Sequence, residues 1–436
     1  MTNLTFLNHA CYKISHGDTS LTCDPWLFGT AFNNGWRLLV ENEAVAQTAA
    51  DTKFIWLSHE HPDHFSIEFF NKFQPRHAKI LFQWTHDKRV VSYFRKNGYE
   101  VIEIGDGEVF NLSDTQTLMV RRNGHYDSWS LYRNEDHSVL NLNDCHFTDP
   151  RELARMRREL GPIDVLLTQF SYASWRGGRA NVELRRRSAA EKLQNVLMQV
   201  REIEPKFVIP FASFIYFSHQ QNSYLNDSVG TVDSFRAAVG ETASNPILMA
   251  PDDTWQVGST RDNGPATMFW RQVYSNISNL PLRPPGPSVP PDQLRTNFEI
   301  YRRRVGSKNS LVVMRLLSLL PGLGAFNPII ICLTDLGKVY RFSFWNGLEE
   351  VEQSVAHDVA MTSENLNFVF LNEFGYDTLT VNGRFEADAG GFRAMTKNFA
   401  IGSLNAMGLS LSLAFVKDLD VAWLLMKRLS RFSRKL

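Results

Sequence analysis

Within two residues the chain passes from a wholly apolar run to a cluster of metal-binding side chains. Phe54-Ile55-Trp56-Leu57 suits a short strand buried on both faces, and after Ser58 comes His59-Glu60-His61-Pro62-Asp63-His64. Ser66-Ile67-Glu68-Phe69-Phe70 then reads as the start of a helix. A buried strand that ends in such a turn and returns through a helix requires a sheet covered by helices. Imidazole nitrogens and carboxylate oxygens suit borderline divalent metals. Three histidines and an aspartate are too many for one closed site. The spacing therefore suggests two adjacent metal positions, His59 and His61 facing one, Asp63 and His64 the other.

A chain of 436 residues exceeds one ordinary core, so two domains are expected. Leu4–Ile14 and Ser20–Cys23 flank His16-Gly17-Asp18 as a hairpin. Further strands are predicted at Phe54–Leu57, Ile80–Phe82, Leu118–Arg121, Trp129–Arg133, Val139–Leu142, Val165–Thr168 and Phe207–Pro210. Helical patterns fall at Thr85–Asn97, Pro150–Leu160 and Ser188–Ile203. Hairpins with helices between them argue for an α/β arrangement of two sheets covered by helices. Leu280–Pro291 carries six prolines and reads as a stiff, extended connection. The expected division is a metal-binding domain over 1–279, a linker over 280–293 and a smaller C-terminal α+β domain over 294–436. In that last part Val339–Phe344, Asp358–Thr362 and Thr378–Phe385 look like strands and Ser363–Phe374 like a capped helix. The uncharged stretch between Arg315 and Asp335, broken by Pro321, Gly322, Gly324 and Pro328, reads as a buried helix, a turn and a strand rather than a membrane span.

A formal net charge of zero gives no global field to draw in nucleic acid, and no nucleic-acid partner is expected. Cys11, Cys23, Cys145 and Cys332 show no paired spacing, and Met1–Thr5 lacks the basic start and apolar run of a secretory signal. Both fit a reduced, cytoplasmic protein. The basic segment Lys427–Lys435 reads first as a solvated helix end and second as a peripheral contact for an anionic membrane. A homo-oligomer is compatible with all of this. There is no Gly-x-Ser-x-Gly and no Walker-type Gly-Lys-Ser/Thr.

Three further residues stand where strands give way to loops: His125 after Leu118–Arg121, Asp144 after Val139–Leu142, and His219 beyond Phe207–Pro210. Each alone reads as a core histidine or a turn aspartate. In this order behind Ser58-His59-Glu60-His61-Pro62-Asp63-His64, they resemble the successive motifs of the metallo-β-lactamase superfamily. Within it the first ~255 residues, by this motif reading, look most like the corresponding part of CMP-N-acetylneuraminate hydroxylases. Cys23-Asp24-Pro25-Trp26-Leu27, Gly35-Trp36, Asp144-Cys145, Pro210-Phe211-Ala212 and Ser218-His219 carry the likeness. Asn8-His9-Ala10 and Cys23-Asp24-Pro25 add a more distant similarity to ascorbate-phosphate lactonases and the N-acyl-phosphatidylethanolamine phospholipase D group. Val381-Asn382-Gly383-Arg384-Phe385 faintly resembles sterol-carrier modules.

The superfamily resemblance implies an αββα sandwich and two divalent ions, zinc or iron/manganese. His59, His61 and His125 would hold one ion, Asp63, His64 and His219 the other, with Asp144 bridging. It implies a metal-bound hydroxide as nucleophile on a small polar substrate, phosphorylated, nucleotide-sugar-like or phosphodiester. Asp63 is either a ligand or the catalytic proton-orienting group. Asp24 is an acceptor for a ligand histidine or a cap before Pro25, and His9 and His146 are candidates for the same supporting layer. Tyr172, Trp175, Arg176 and Arg179, in a loop with Gly177-Gly178, are candidate substrate contacts or plain surface residues. Trp26 and Trp36 would wall the site or pack in the core. The hydroxylases also need a Rieske cluster held by Cys-x-His and Cys-x-x-His. None of the four cysteines has that spacing, so hydrolysis is the expected reaction, with an iron-dependent oxygenase served by a separate electron donor and a metal-containing binding protein as the alternatives.

Overall fold

In a computed structural model, which describes residues 1–124, 127–320, 324–406 and 408–411, two seven-stranded sheets lie face to face. The first runs Thr254–Gln256, Thr2–Asn8, Cys11–His16, Thr19–Cys23, Phe54–Leu57, Lys79–Gln83, Val101–Ile104. The second runs Asn245–Pro246, Phe207–Phe211, Val165–Gln169, Ser138–Asn141, Asp127–Arg133, Thr117–Asn123, Val109–Asn111. Each mixes antiparallel hairpins with parallel crossovers through helices.

Alternation explains the unbroken apolar run at Phe54–Leu57. Phe54 and Trp56 point into the core between the sheets, with Leu4, Phe6, Leu118, Leu131, Leu140 and Ile209. Ile55 and Leu57 point the other way, with Ile80 and Phe82, against the helices Ala44–Ala50, Ile67–Phe73 and Arg89–Lys96. Pro150–Leu160, Val182–Ile203 and Val232–Val239 cover the second sheet through Leu153, Val196, Val200 and Phe235. The result is the αββα sandwich expected. Burying a side chain of this size stabilises the fold by ~1.5–3 kcal/mol, so both faces of this strand count.

A small sheet of Ile215–Phe217, Trp36–Leu38 and Thr30–Ala31 lies beside the sandwich. From Pro291 onward a five-stranded sheet and the helices Pro291–Lys308, Ser363–Leu371, Gly375–Asn382 and Ala389–Ala406 enclose a second core, with Phe298, Tyr301, Phe342, Phe370 and Phe399 at its centre. This unit docks on the small sheet. Buried Arg384 donates to the Asn33 carbonyl, to Gln221 Oε1 and to Glu364 Oε2 at 2.8–2.9 Å. Asn382 Nδ2 donates to the Phe32 carbonyl (3.1 Å). Gly35 lies so close that a Cβ there would sit 2.3 Å from Asn382 Cβ, which leaves room for glycine only.

Four expectations need correction. Leu4–Ile14 is two strands, because the backbone reverses at His9 (φ +37°), and this puts His9 at a strand tip. Thr378–Phe385 is mostly the helix Gly375–Asn382, followed by the short strand Phe385–Ala387. Tyr376, Leu379 and Asn382 recur every three residues on its buried face, a helical period masked by the β-branched Thr378, Thr380 and Val381. The helix before Pro321 spans Leu311–Leu319 and buries only Val313 and Met314, leaving Leu316 and Leu319 57% and 66% exposed. Ser188–Ile203 is the later part of the longer helix Val182–Ile203. Among the described residues no helix is long and apolar enough to cross a membrane. Lys427–Lys435 lies outside them.

Candidate metal centre

The turn after Leu57 is held from three sides before any ligand is considered. Asp24, at the end of Thr19–Cys23 with φ +41°, accepts from the Ser58 amide at 2.8 Å and from Ser58 Oγ at 2.7 Å. The Ser58 carbonyl in turn accepts from Gln83 Nε2 (3.1 Å) and Ser128 Oγ (2.6 Å). Ser66 then caps the helix Ile67–Phe73 by accepting from the Phe69 amide (3.2 Å). Four strands thus fix one ligand-bearing turn at the edge of the sandwich.

His64 is the hub. Its Nδ1 lies 3.0 Å from Asp24 Oδ2, so the buried ring turns Nε2 toward the cluster. That Nε2 lies 3.4 Å from both Asp63 Oδ2 and Asp144 Oδ2 and has no hydrogen-bond partner among the described residues. His9 Nε2 lies 3.4 Å from Asp63 Oδ2. His59 Nε2 is 2.9 Å from His61 Nδ1 and 3.9 Å from Asp127 Oδ1, while its Nδ1 lies 2.9 Å from Ser58 Oγ. Two groups converge closely enough to hold ions: His9, Asp63 and His64, and His59, His64 and Asp144.

The spacing fits a metal. Two donor atoms, each ~2.0–2.1 Å from one ion at angles between a right angle and tetrahedral, stand ~2.9–3.4 Å apart. The separations above among His9, His59, His61, Asp63, His64 and Asp144 run from 2.9 to 3.4 Å. Among the described residues Asp63 Oδ1, His9 Nδ1 and His64 Nε2 are buried without hydrogen-bond partners, an arrangement that is costly unless a cation completes it. The charges reflect the same crowding. Burial opposes charging His64, but Asp63, Asp144 and Asp24 outweigh it and hold the imidazole well above its ordinary range. Burial would also raise Asp63, yet His64 and His9 hold it well below. Burial, with His64 and His61 adding to it, drives His59 well below the ordinary histidine range. Burial pushes Asp127 up to about 6.

The structure brings together His59, His61, Asp63, His64 and Asp144. His9 belongs with them directly, facing Asp63, rather than behind a ligand. Asp24 lies against His64 Nδ1, as an acceptor for that histidine would. The division expected from the spacing is redrawn: His59 and His61 converge, but His64 stands between both carboxylates and Asp63 also meets His9. His125 lies outside the described residues.

His219 does not join the cluster. The strand Ile215–Phe217 that delivers it pairs with Trp36–Leu38 in the small sheet, not with the second large sheet. His219 therefore sits beneath the C-terminal unit, where Nδ1 accepts from the Gln221 amide (3.2 Å) and the backbone bridges to Arg283. Burial, then Arg384, lowers its pKa to about 4.

The expected substrate contacts divide. Trp175 is buried in the second core, stacked on Phe392 and Phe385 at 4.5 and 5.0 Å. Tyr172 is buried and donates to the Leu225 carbonyl. Arg179 pairs with Glu386 (3.2 Å) and lies over the Tyr224 ring. These three join elements and do not line the cluster. Trp26 packs edge-on to His9 (5.3 Å), and Trp36 packs on Phe32 (4.5 Å), so both back the site from within the core. His146 is exposed, with Nδ1 3.1 Å from Asn195 Nδ2, and with Arg176 it lines a separate cavity.

Two features escaped sequence reading. Asp127 opens the strand after Asn123-Gly124, a position that reads as ordinary turn chemistry. The cavity beside His61, about 370 Å³, is walled by Phe32, Phe65 and Tyr93 from the sandwich and by Phe374, Thr378 and Val381 from the C-terminal unit. No local pattern announces a wall supplied from 300 residues away.

Residues 3–212 match the family model described as a beta-lactamase superfamily domain. The chain is 25% identical over 243 residues to the cytidine monophosphate-N-acetylneuraminic acid hydroxylase of Danio rerio, a match covering 52% of this chain and 40% of that one. The chain thus spans less than half the length of the curated relatives it matches. Among solved structures it is similar to CmlA, a diiron beta-hydroxylase from Streptomyces venezuelae, with 17% identity, a TM-score of 0.44, and coverage of 58% of this chain and 54% of that one. It is also similar to Igni18, a metallo hydrolase from Ignicoccus hospitalis, with 13% identity, a TM-score of 0.40, and coverage of 58% and 97%.

Proposed function

From the match of residues 3–212 to a beta-lactamase superfamily domain, we propose that this chain is a metal-dependent hydrolase of the metallo-β-lactamase type acting on a polar ester, phosphoester, phosphodiester or amide. The observation that carries the reading is the orientation of His64, whose Nδ1 is held by Asp24 while Nε2 stands buried between Asp63 and Asp144. Divalent ions bound there, zinc or iron/manganese, would polarise the bond under attack and bring the pKa of an attacking water toward neutrality. His59, His61, His64, Asp63 and Asp144 would hold them, with His9 against Asp63. Asp63 Oδ1, buried and without a hydrogen-bond partner among the described residues, would either ligate or take the proton of that water. Asp24 keeps the His64 tautomer fixed. Phe32 and Phe65 shield the His61 side from solvent, and the cavity beside it accepts the less polar part of the substrate.

A second reading, an oxygenase with a separate electron donor, is favoured by the names of the curated relatives. One assay separates the two. Protein purified without chelators is analysed for metal, then given a panel of phosphodiesters, lactones and amides, and separately oxygen with a reductant. Turnover in the panel that chelation abolishes supports hydrolysis. Stoichiometric iron with oxygen consumption and no hydrolysis establishes the oxygenase.

A further inference from the structure

A second cavity of about 350 Å³, which shares no lining residue with the cavity beside His61, lies against the helix Val182–Ile203. Ser188, Glu191, Lys192 and Asn195 recur at the helical period and form one wall, His146 and Thr148 form another, and Arg176 closes the end. Its lining is more polar than that of the cavity beside His61.

Arg176 is the unusual member. Among the described residues no acid forms an ion pair with it, and its one hydrogen bond runs from Nη1 to the Trp175 carbonyl at 3.3 Å. A guanidinium has five donors in a planar fork, so most of them remain for a ligand. Burial, partly countered by Glu191, lowers its pKa, in keeping with a charge held partly out of water. Lys192 reaches Gln169 Oε1, and Gln169 Nε2 donates to Asp144 Oδ1 at 3.0 Å. The cavity is therefore two hydrogen bonds from a carboxylate of the metal centre. Two cations face a single acid, Glu191, and Thr148, Ser188 and Asn195 offer neutral donors.

We propose that this cavity is an oxyanion subsite, in which the Arg176 fork and the Lys192 ammonium hold a phosphate or carboxylate group of the substrate while its reacting bond lies at Asp144. Planar, bidentate recognition of such groups is what arginine does best. Assigning the anion to the substrate rests on the hydrolase reading above; the anion site itself does not. It restricts the substrate to molecules carrying a negative group beside the bond that is cut.

The test is calorimetric titration of the full chain with inorganic phosphate and, separately, acetate, before and after chelator treatment, with metal content measured on the same samples. Saturable binding that survives chelation is expected. Arg176→Met should weaken it by about tenfold or more, the loss expected for a hydrogen bond between charged groups. Asn195→Asp, nearly isosteric on the helix, should weaken it by adding a negative charge, and Glu191→Gln should strengthen it. The two anions identify the group: tighter phosphate binding assigns a phosphoryl group, tighter acetate binding a carboxylate. Equal binding by wild type, Asn195→Asp and Glu191→Gln overturns the proposal even if Arg176→Met fails to fold. Binding that chelation removes and Arg176→Met leaves unchanged overturns it too. Absence of metal from wild type with anion binding intact would sink the hydrolase reading alone.

Discussion

The cavity beside His61 and the one linked to Asp144 through Gln169 are of similar size but different construction. The one beside His61 is built across the molecule, from Phe32 and Phe65 of the sandwich and Phe374, Thr378 and Val381 of the C-terminal unit. The one on the Asp144 side is built within the sandwich, from a single helix face, one loop and Arg176. The first is mainly apolar and depends on docking between units; the second is more polar and depends largely on one helix. The turn that carries His59 and His64 is held by hydrogen bonds local to Asp24 and Ser58, and neither histidine lines either cavity. Metal binding and substrate choice should therefore respond to different mutations.

The largest effect should fall on the shared centre. His64→Ala removes the one nitrogen placed between Asp63 and Asp144, and should cut both metal content and turnover by more than ~100-fold, beyond what loss of an outer partner costs. Metal analysis with steady-state rates checks this, and full metal occupancy in the variant would break the comparison at its root.

Trp175→Ala comes next. Removing a buried, doubly stacked indole should destabilise the chain by ~3–5 kcal/mol, read by urea unfolding, while the metal content of the folded protein stays at the wild-type level. Loss of metal without loss of stability would return Trp175 to the site.

Asp24→Asn keeps the shape but reverses which His64 tautomer is favoured. Metal affinity should fall ~10–100-fold, measured by competition with a chromogenic chelator, with little change in secondary structure.

The smallest effect belongs to the docked wall. Val381→Phe narrows the cavity beside His61 and should raise KM several-fold, with kcat and metal content nearly unchanged. An equal fall in kcat would mean that the C-terminal unit contributes to the chemistry itself.

The same contrast sets what could be read from the sequence. The turn at His59–His64 was legible because ligand spacing, the preceding strand and the following helix are all local. Asp144 was legible as an aspartate at a strand end, and Asp24 through the Cys23-Asp24-Pro25 likeness, as an acceptor for a histidine or a cap before Pro25. His9 was legible only as a neighbour, because its direct role depends on the hairpin tip that a continuous Leu4–Ile14 strand conceals. His219 was misplaced because its strand leaves the large sheet for the small one, a tertiary choice that no local pattern records. Trp175 looked like a substrate contact because Gly177-Gly178 promises close approach. The approach is real, but the partner is the second core. Helix Gly375–Asn382 was hidden by β-branched residues, and with it the wall of the His61 cavity.

Anomalous diffraction at the zinc, iron and manganese edges, on crystals of protein never exposed to chelator, tests the central claim most directly. Two peaks are predicted within the group formed by His59, His61, His64, Asp63 and Asp144, with His64 Nε2 bonded to one of them. No peak there, or peaks elsewhere with His64 Nε2 hydrogen-bonded to protein or water, would contradict it.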